Sequence, residues 1–129
     1  MELKIKFPGG SRVDAEYRTL NIVTNQDGTA PAPFALFLAS IGTCAGIYVK
    51  NFCDQRDIPA ENIDITQKMD VDPMTRMIRK ITLNINLPKE FPEKYKDAVI
   101  RAADQCAVKK HLVSTPEINV HANFMTEVS

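Results

Sequence analysis

The chain has no excess of charge of either sign. Its 129 residues include 16 Lys and Arg and 16 Asp and Glu, scattered without a basic stripe or an acidic tail. No overall field therefore recruits nucleic acid or anionic lipid, and we expect the protein to bind neither. With 44% apolar and 25% charged residues, the composition predicts one globular domain over residues 1–129.

Cysteine is scarce and irregularly spaced. The three cysteines, Cys44, Cys53 and Cys106, are odd in number and include no close pair, which argues against a secreted disulfide framework. Residues 1–20 lack the basic segment followed by an apolar segment that is typical of a secretory signal. These two absences together predict a cytoplasmic protein whose thiols stay reduced.

Several common kinds of site are also missing. Asp27-Gly28 is a turn and not a phosphate-binding loop, and no Ser/His/Asp set can be singled out. A metal site could be assembled on paper from Cys106, His111 and His121, but no C-x₂-C or H-x₃-H spacing supports it. We therefore expect neither a metal nor a cofactor.

Apolar and polar residues alternate in several short segments, which is the period of half-buried strands. Two longer segments have helical periodicity instead. The predicted class is α+β with an antiparallel-rich sheet. The expected strands cover residues 3–7, 13–17, 20–24, 63–71, 77–87 and 118–124, and the expected helices cover 33–56 and 93–112.

One segment, Pro33 to Val49, carries no charge at all. Pro33 suits the first position of a helix, where its missing N–H would have no partner anyway. The run is at the short edge for a membrane span, so a buried helix is the favoured interpretation. A helix that is apolar all round is enclosed on every side, and one chain of this size can hardly surround it. We therefore expect a homodimer.

The cysteines can be separated by geometry. Cys44 and Cys53 lie nine residues apart on one helix, on opposite sides and about 13 Å apart along the axis, so they cannot form a disulfide. Any internal pair must use Cys106. Cys44 is its better partner, because the small residues around it allow close approach, whereas Cys53 is structural or at the surface. The alternative for each cysteine is a small buried hydrophobe.

A reactive cysteine must form a thiolate, and an apolar environment raises its pKa. Cys44 lies about eleven residues inside the helix, which is beyond the reach of the helix dipole. An activating cation must therefore come from elsewhere in the fold. Arg12, beside the Gly9-Gly10 turn, is the first candidate and Arg18 the second. For either arginine the alternative is a solvated charge on a strand face.

The motif APAPFALFLASIGTCAG places Pro33 eleven residues before Cys44, and AADQCAVKKHL surrounds Cys106. Together they resemble the OsmC-like family (osmotically inducible protein C and organic hydroperoxide resistance proteins). The strand and turn KFPGGSRV and the hairpin over residues 61–87 lie where that family has them. The resemblance implies the OsmC-like fold, an intertwined homodimer with antiparallel-rich sheets wrapped around a long central buried helix.

The resemblance also implies a function. Members of the peroxidase branches are thiol-dependent, peroxiredoxin-like hydroperoxide reductases with a role in the stress response. By position, Cys44 would attack an organic hydroperoxide, Cys106 would resolve the sulfenic acid as a disulfide, and Arg12 would stabilise the thiolate. The implied reductant is a small or protein-bound dithiol such as a lipoyl group.

Two positions depart from the family pattern. Relatives often carry a glutamate one or two residues after the proline, where it holds the arginine, but this chain has Phe34 and Ala35. Many also have a proline directly after the second cysteine, where this chain has Ala107. The missing carboxylate motivates an alternative, a non-catalytic or small-ligand-binding OsmC-like homodimer with an apolar pocket between its subunits.

Overall fold

The computed structural model describes residues 1–125, which form two antiparallel sheets and three α-helices. The expected α+β class is confirmed. A 3₁₀ turn at Glu93–Tyr95 precedes the second helix. In chain order the elements are β1 (Lys4–Gly9), β2 (Arg12–Tyr17), β3 (Leu20–Asn25), α1 (Pro33–Asp54), β4 (Asp64–Val71), β5 (Ile78–Asn86), α2 (Lys96–Ala103) and α3 (Ala107–Val113).

The first three strands form a meander in the order β1–β2–β3. The turn between β1 and β2 requires Gly9 and Gly10, whose φ angles of 139° and 59° lie in the region that favours glycine. The meander makes few contacts with the other elements. Its apolar side chains therefore stay exposed, namely Leu3, Ile5, Phe7, Leu20 and Ile22.

Helix α1 begins at Pro33, after Ala32 in an extended conformation, and has no side-chain cap. Its end is closed by the backbone N–H of Ile58, which donates to the carbonyl oxygen of Cys53 at 2.9 Å. The helix is long and apolar enough to cross a membrane, with a mean hydropathy of 1.4 over its most apolar 18 residues. Of that stretch, 17% is buried within the chain.

Only one stripe of α1 is buried within the chain. Its members recur every three or four residues, as one helix face requires: Ile41, Ala45, Val49 and Phe52. Phe34 and Ile47 remain 58% and 60% exposed. The expectation that α1 is enclosed on every side is therefore not met within one chain.

Strands β4 and β5 form an antiparallel hairpin that approaches α1 closely. The side chain of Gln67, on β4, donates from Nε2 to the carbonyl oxygen of Leu38 at 2.9 Å. A Cβ atom at Gly42 would lie 2.4 Å from Oε1 of Gln67. Gly42 therefore gives the hairpin room to approach the first half of the helix.

The hydrophobic core lies between the second half of α1 and α2. Val99 of α2 and Cys53 of α1 have no exposed surface. The Arg56 guanidinium stacks 3.7 Å above the ring of Phe52 and covers one edge of this core. Burial of a side chain of this size contributes about 1.5–3 kcal/mol. The core members are Val49, Phe52, Cys53, Phe91 and Val99.

The second expected helix, over residues 93–112, is wrong as a single element. It is broken between α2 and α3, where Cys106 adopts a non-helical conformation with φ −50° and ψ 123°. The break turns the Cys106 side chain inward, where it is 2% exposed. Apolar periodicity did not reveal it, because Ala102 and Cys106 would also share a face of an unbroken helix.

The expected last strand is also absent from the described residues. Residues 114–125 pair with no strand, and the apolar side chains that alternate there are exposed, with Ile118 at 83% and Val120 at 90%. Alternation indicates a face that needs cover, but a strand also needs a free edge to pair with. No edge in the described chain takes this segment.

Candidate redox site

Two of the three cysteines meet where α1 faces the junction of α2 and α3. Cys44 lies on α1 and is partly buried, and Cys106 is the residue directly before α3. Each thiol lies close enough to the other to shift its pKa. The Cys106 Sγ also lies 3.8 Å from the carbonyl oxygen of Ile41, one helical turn before Cys44. The fold thus brings together two thiols 62 positions apart, both in the free state.

The surroundings of Cys44 favour its thiolate. The backbone N–H of Val108 is the main cause of its lowered pKa, with burial opposing it and the Cys106 thiol and the N–H of Ala107 adding to it. These N–H groups are available because the first residues of a helix have no partner within it. None of the groups that lower this pKa within the described chain is a cation; backbone N–H groups and the Cys106 thiol lower it.

Cys106 is shifted in the opposite direction. Burial is the main cause that raises the pKa of its thiol, and the hydrogen bond to Cys44 raises it further. Of the two thiols, Cys44 is therefore the one that gives up its proton more readily. The opposite shifts have two structural sources, namely the first N–H groups of α3 at Cys44 and the deeper burial of Cys106.

Cys53 takes no part in this pair. It is fully buried in the core, and burial raises the pKa of its thiol, with the neighbouring Asp54 adding to the shift. It thus serves as a small core residue.

Arg12 is held by a carboxylate that the sequence analysis missed. Its Nε and Nη2 atoms donate to the two oxygens of Asp14, each at 2.8 Å, and Asn21 donates to the same carboxylate at 3.0 Å. Asp14 is 6% exposed. The hydrogen bond from Arg12 is the main cause of the lowered pKa of Asp14. Strand alternation was the available signal, because residues i and i+2 share a face.

The structure does not bring Arg12 to Cys44 within one chain. All the hydrogen bonds of its guanidinium in the described residues go to Asp14. Arg18, the second candidate, lies in the turn between β2 and β3 and stacks 5.2 Å from the ring of Tyr17. Of the two, Arg12 alone is oriented by a carboxylate.

The residues considered for a metal site do not converge. The Nδ1 of His111 lies 2.7 Å from the carbonyl oxygen of Ala107, and His121 lies in the exposed segment after α3. Among residues 1–125, no group of three His, Cys, Asp or Glu side chains is arranged to hold a metal ion.

A cavity of about 450 Å³ lies beside the cysteine pair, between α1, the β4–β5 hairpin, α2 and α3. Most of its wall is aliphatic, and Cys106 borders it whereas Cys44 does not. Lys96 and Lys109 also border it, and Lys109 forms an ion pair with Asp104. The pocket expected between subunits thus has a counterpart inside one chain.

The family model of OsmC-like proteins matches residues 26–121, which is three quarters of the chain. The chain belongs to the OsmC-like family. The matched region of this OsmC-like protein contains Cys44 and Cys106, whereas Arg12 lies before it. A sequence comparison with curated proteins gives no match.

Solved structures with the same fold support the assignment. A protein from Aquifex aeolicus VF5 superposes with a TM-score of 0.70 at 17% identity, over 88% of this chain and 87% of that one. An OsmC-like protein from Mycoplasma pneumoniae gives 0.65 at 14% identity, over 88% and 87%. The organic hydroperoxide resistance protein OhrB of Bacillus subtilis gives 0.52 at 18% identity, over 86% and 90%. At these identities the similarity establishes the fold alone.

Proposed function

We propose that this OsmC-like protein is a thiol-dependent, peroxiredoxin-like hydroperoxide reductase that acts on organic hydroperoxides. One observation carries the proposal. A cysteine with a lowered pKa, Cys44, is in contact with a second thiol, Cys106, whose pKa is raised. This is the polarity that a nucleophile and a resolving thiol require. A structural relative from Bacillus subtilis is named an organic hydroperoxide resistance protein, which supports the choice of substrate.

The proposed reaction has two steps on the protein. The Cys44 thiolate attacks the terminal oxygen of the hydroperoxide, the O–O bond breaks, and an alkoxide leaves and takes a proton from water. Cys44 is then a sulfenic acid. The Cys106 sulfur attacks the Cys44 sulfur, a disulfide forms, and the hydroxyl group leaves as water with the Cys106 proton. A dithiol, for which a lipoyl group is our proposal, then returns both cysteines to thiols.

Our proposal includes a homodimer. Cys44 lies on the flank of α1 that also carries Phe37 and Ile47, whose side chains are 38% and 60% exposed in one chain. A second copy on this flank would exclude water from them and from Cys44. The meander packs little on its own chain, so we assign to the partner subunit's Arg12 the role of stabilising the Cys44 thiolate.

Free thiols and the proposed chemistry both need a reducing compartment, and we therefore place the protein in the cytoplasm with a role in the peroxide stress response. No cofactor enters the proposed cycle, because all electrons pass through sulfur.

The test is consumption of cumene hydroperoxide with a dithiol as reductant. Cys44→Ser is expected to abolish turnover, and Cys53→Ala, the matched control in the core, is expected to retain it. Non-reducing peptide mapping after one equivalent of peroxide is expected to find a Cys44–Cys106 disulfide. Oxidation of Cys53 with Cys44 and Cys106 left as separate thiols would contradict the proposal.

A second candidate function is the binding of a small apolar ligand without catalysis. The aliphatic cavity of about 450 Å³ favours it, because its size and wall are typical of small-ligand sites. The absence of a carboxylate at Phe34 and Ala35 no longer argues strongly for this candidate, since Asp14 holds Arg12. Peroxide turnover that disappears in Cys44→Ser would exclude a binding-only role.

A further inference from the structure

The two cysteines of the pair differ in their contact with the aliphatic cavity. The aliphatic cavity borders one cysteine of the pair, Cys106, and not the other. Ile41 and Ala45 of α1 also face this cavity, whereas Cys44 lies on the flank of the helix next to them. A molecule in this cavity would thus meet Cys106 and not Cys44.

We propose that the dithiol which reduces the Cys44–Cys106 disulfide docks in the aliphatic cavity and attacks the sulfur of Cys106, whereas the hydroperoxide meets Cys44 from the other side. This inference rests on the hydroperoxide reductase function proposed above. Its occupant is a small dithiol with an apolar body. The volume of about 450 Å³ is within the range of small-ligand pockets, and its wall offers aliphatic contacts to such a body.

Charge at the cavity also bears on the occupant. Lys96 and Lys109 border the cavity, and Asp104 neutralises one of the two ammonium groups. The remaining positive charge complements a carboxylate at the end of the apolar body. Dihydrolipoate combines two thiols, a short hydrocarbon chain and a carboxylate, so it is the reagent that the test uses.

The chemistry of thiol–disulfide exchange favours the same direction. A thiolate of the reductant attacks Cys106, a mixed disulfide forms there, and Cys44 leaves as a thiolate. Exchange is faster when the leaving thiol has the lower pKa, and Val108 lowers the pKa of Cys44 whereas burial raises that of Cys106. The second thiol of the reductant then displaces Cys106, which takes up a proton, and the reductant departs as a cyclic disulfide with two electrons fewer.

The first experiment measures only the reductive half of the cycle. The Cys44–Cys106 disulfide is made with diamide, so that peroxide is not needed, and its reduction by dihydrolipoate or dithiothreitol is followed after acid quenching. Leu112 borders the cavity, and Val113 is 80% exposed outside it, which gives a matched pair on α3. Leu112→Glu is expected to slow dihydrolipoate about tenfold, because the new carboxylate occupies the apolar site and repels the reagent, and to slow dithiothreitol less.

The control Val113→Glu is expected to stay within about twofold of the unmodified protein for both reagents, as is usual for an exposed position. Ile100→Glu, at a half-exposed position in the wall, provides a second variant with the same expectation as Leu112→Glu. If dihydrolipoate reduces Leu112→Glu and Ile100→Glu as fast as Val113→Glu, and all three variants have native circular dichroism, the docking site is overturned.

The second experiment identifies the attacked sulfur. The disulfide form is mixed briefly with 6-mercaptohexanoate, quenched in acid, alkylated and mapped by mass spectrometry. The mixed disulfide is expected on Cys106 and the alkyl group on Cys44. The reverse pattern would overturn the inference. If treatment with peroxide forms no Cys44–Cys106 disulfide, the proposed function is overturned instead. The disulfide made with diamide still shows which sulfur the reductant attacks, so the two failures are distinguishable.

Discussion

Ile47→Glu is expected to dissociate the proposed homodimer. Ile47 lies on the exposed flank of α1 one turn after Cys44, and 60% of its surface is in contact with water in one chain. A second copy that covers it removes about 100 Å² of apolar surface, which is worth about 2.5 kcal/mol for each subunit at about 25 cal/mol/Å². For the symmetric dimer this becomes about 5 kcal/mol, or between three and four orders of magnitude in the dissociation constant. A buried carboxylate in place of the side chain adds a desolvation cost.

The assay is sedimentation velocity between about 1 and 100 μM, a range in which a dimer of ordinary affinity and a monomer are distinguishable. The unmodified protein is expected to be a dimer whose unfolding midpoint rises with concentration. Ile47→Glu is expected to sediment as a monomer that retains helical circular dichroism. The control is Met74→Glu, at a 90% exposed position of the β4–β5 turn, which should remain a dimer.

A monomeric unmodified protein with concentration-independent melting would refute this reasoning. So would an Ile47→Glu protein that remains a dimer at the lowest concentration. Ile41 and Val49 are already buried within one chain, so little of their surface is left for the proposed partner subunit to cover. The most exposed large apolar side chains on α1 are those of Phe34, Phe37 and Ile47.

Three further predictions concern reactivity and stability. Cys44 is expected to react with iodoacetamide at lower pH than Cys106, because its pKa is lowered and that of Cys106 is raised. The Cys106→Ala variant lacks the thiol donor and should shift the pH profile of Cys44 alkylation to higher pH. An unchanged profile in residue-resolved mass spectrometry would contradict the assignment. Val99→Ala is expected to lower the free energy of unfolding in urea by about 2–3 kcal/mol, since it opens a cavity at a fully buried position. A loss below about 0.5 kcal/mol, the level of surface substitutions, would contradict the burial of Val99 in the core. Gly46→Ala is expected to stabilise α1 by about 0.5–1 kcal/mol, because Ala is the better helix former and the nearest atom to the new Cβ lies 4.0 Å away. Gly42→Ala should gain less, because the hairpin side chain at 2.4 Å must move, and an equal gain for both would contradict the close approach.

The sequence alone predicted the elements that depend on local periodicity. Strand alternation located β1 to β5 to within a few residues, and the uncharged segment after Pro33 predicted α1. The order of the cysteine motifs around Cys44 and Cys106 was sufficient for the family, which the match over residues 26–121 establishes. These features are encoded by neighbours in the chain, and a pattern of neighbours is what a sequence displays.

For the two elements that the sequence mispredicted, a non-local contact decided the outcome. The break before α3 depends on whether Cys106 can turn towards α1, and the missing last strand depends on whether a sheet edge is free. Arg12 has its carboxylate from Asp14 on the same strand, not from a residue after Pro33. The absence of a glutamate at Phe34 and Ala35 did not reveal that Asp14 supplies a carboxylate in its place.

The direction of the pKa shift at each thiol was decided by tertiary structure alone. Composition and spacing could show only that Cys44 and Cys106 were able to meet. The backbone N–H of Val108, which reaches Cys44 because α3 begins beside α1, is the main cause of the lowered pKa of Cys44, whereas burial is the main cause of the raised pKa of Cys106. Hydrogen bonds and desolvation act over a few ångströms, so a residue 64 positions away in the chain lowers the pKa of Cys44, and no local pattern records that proximity.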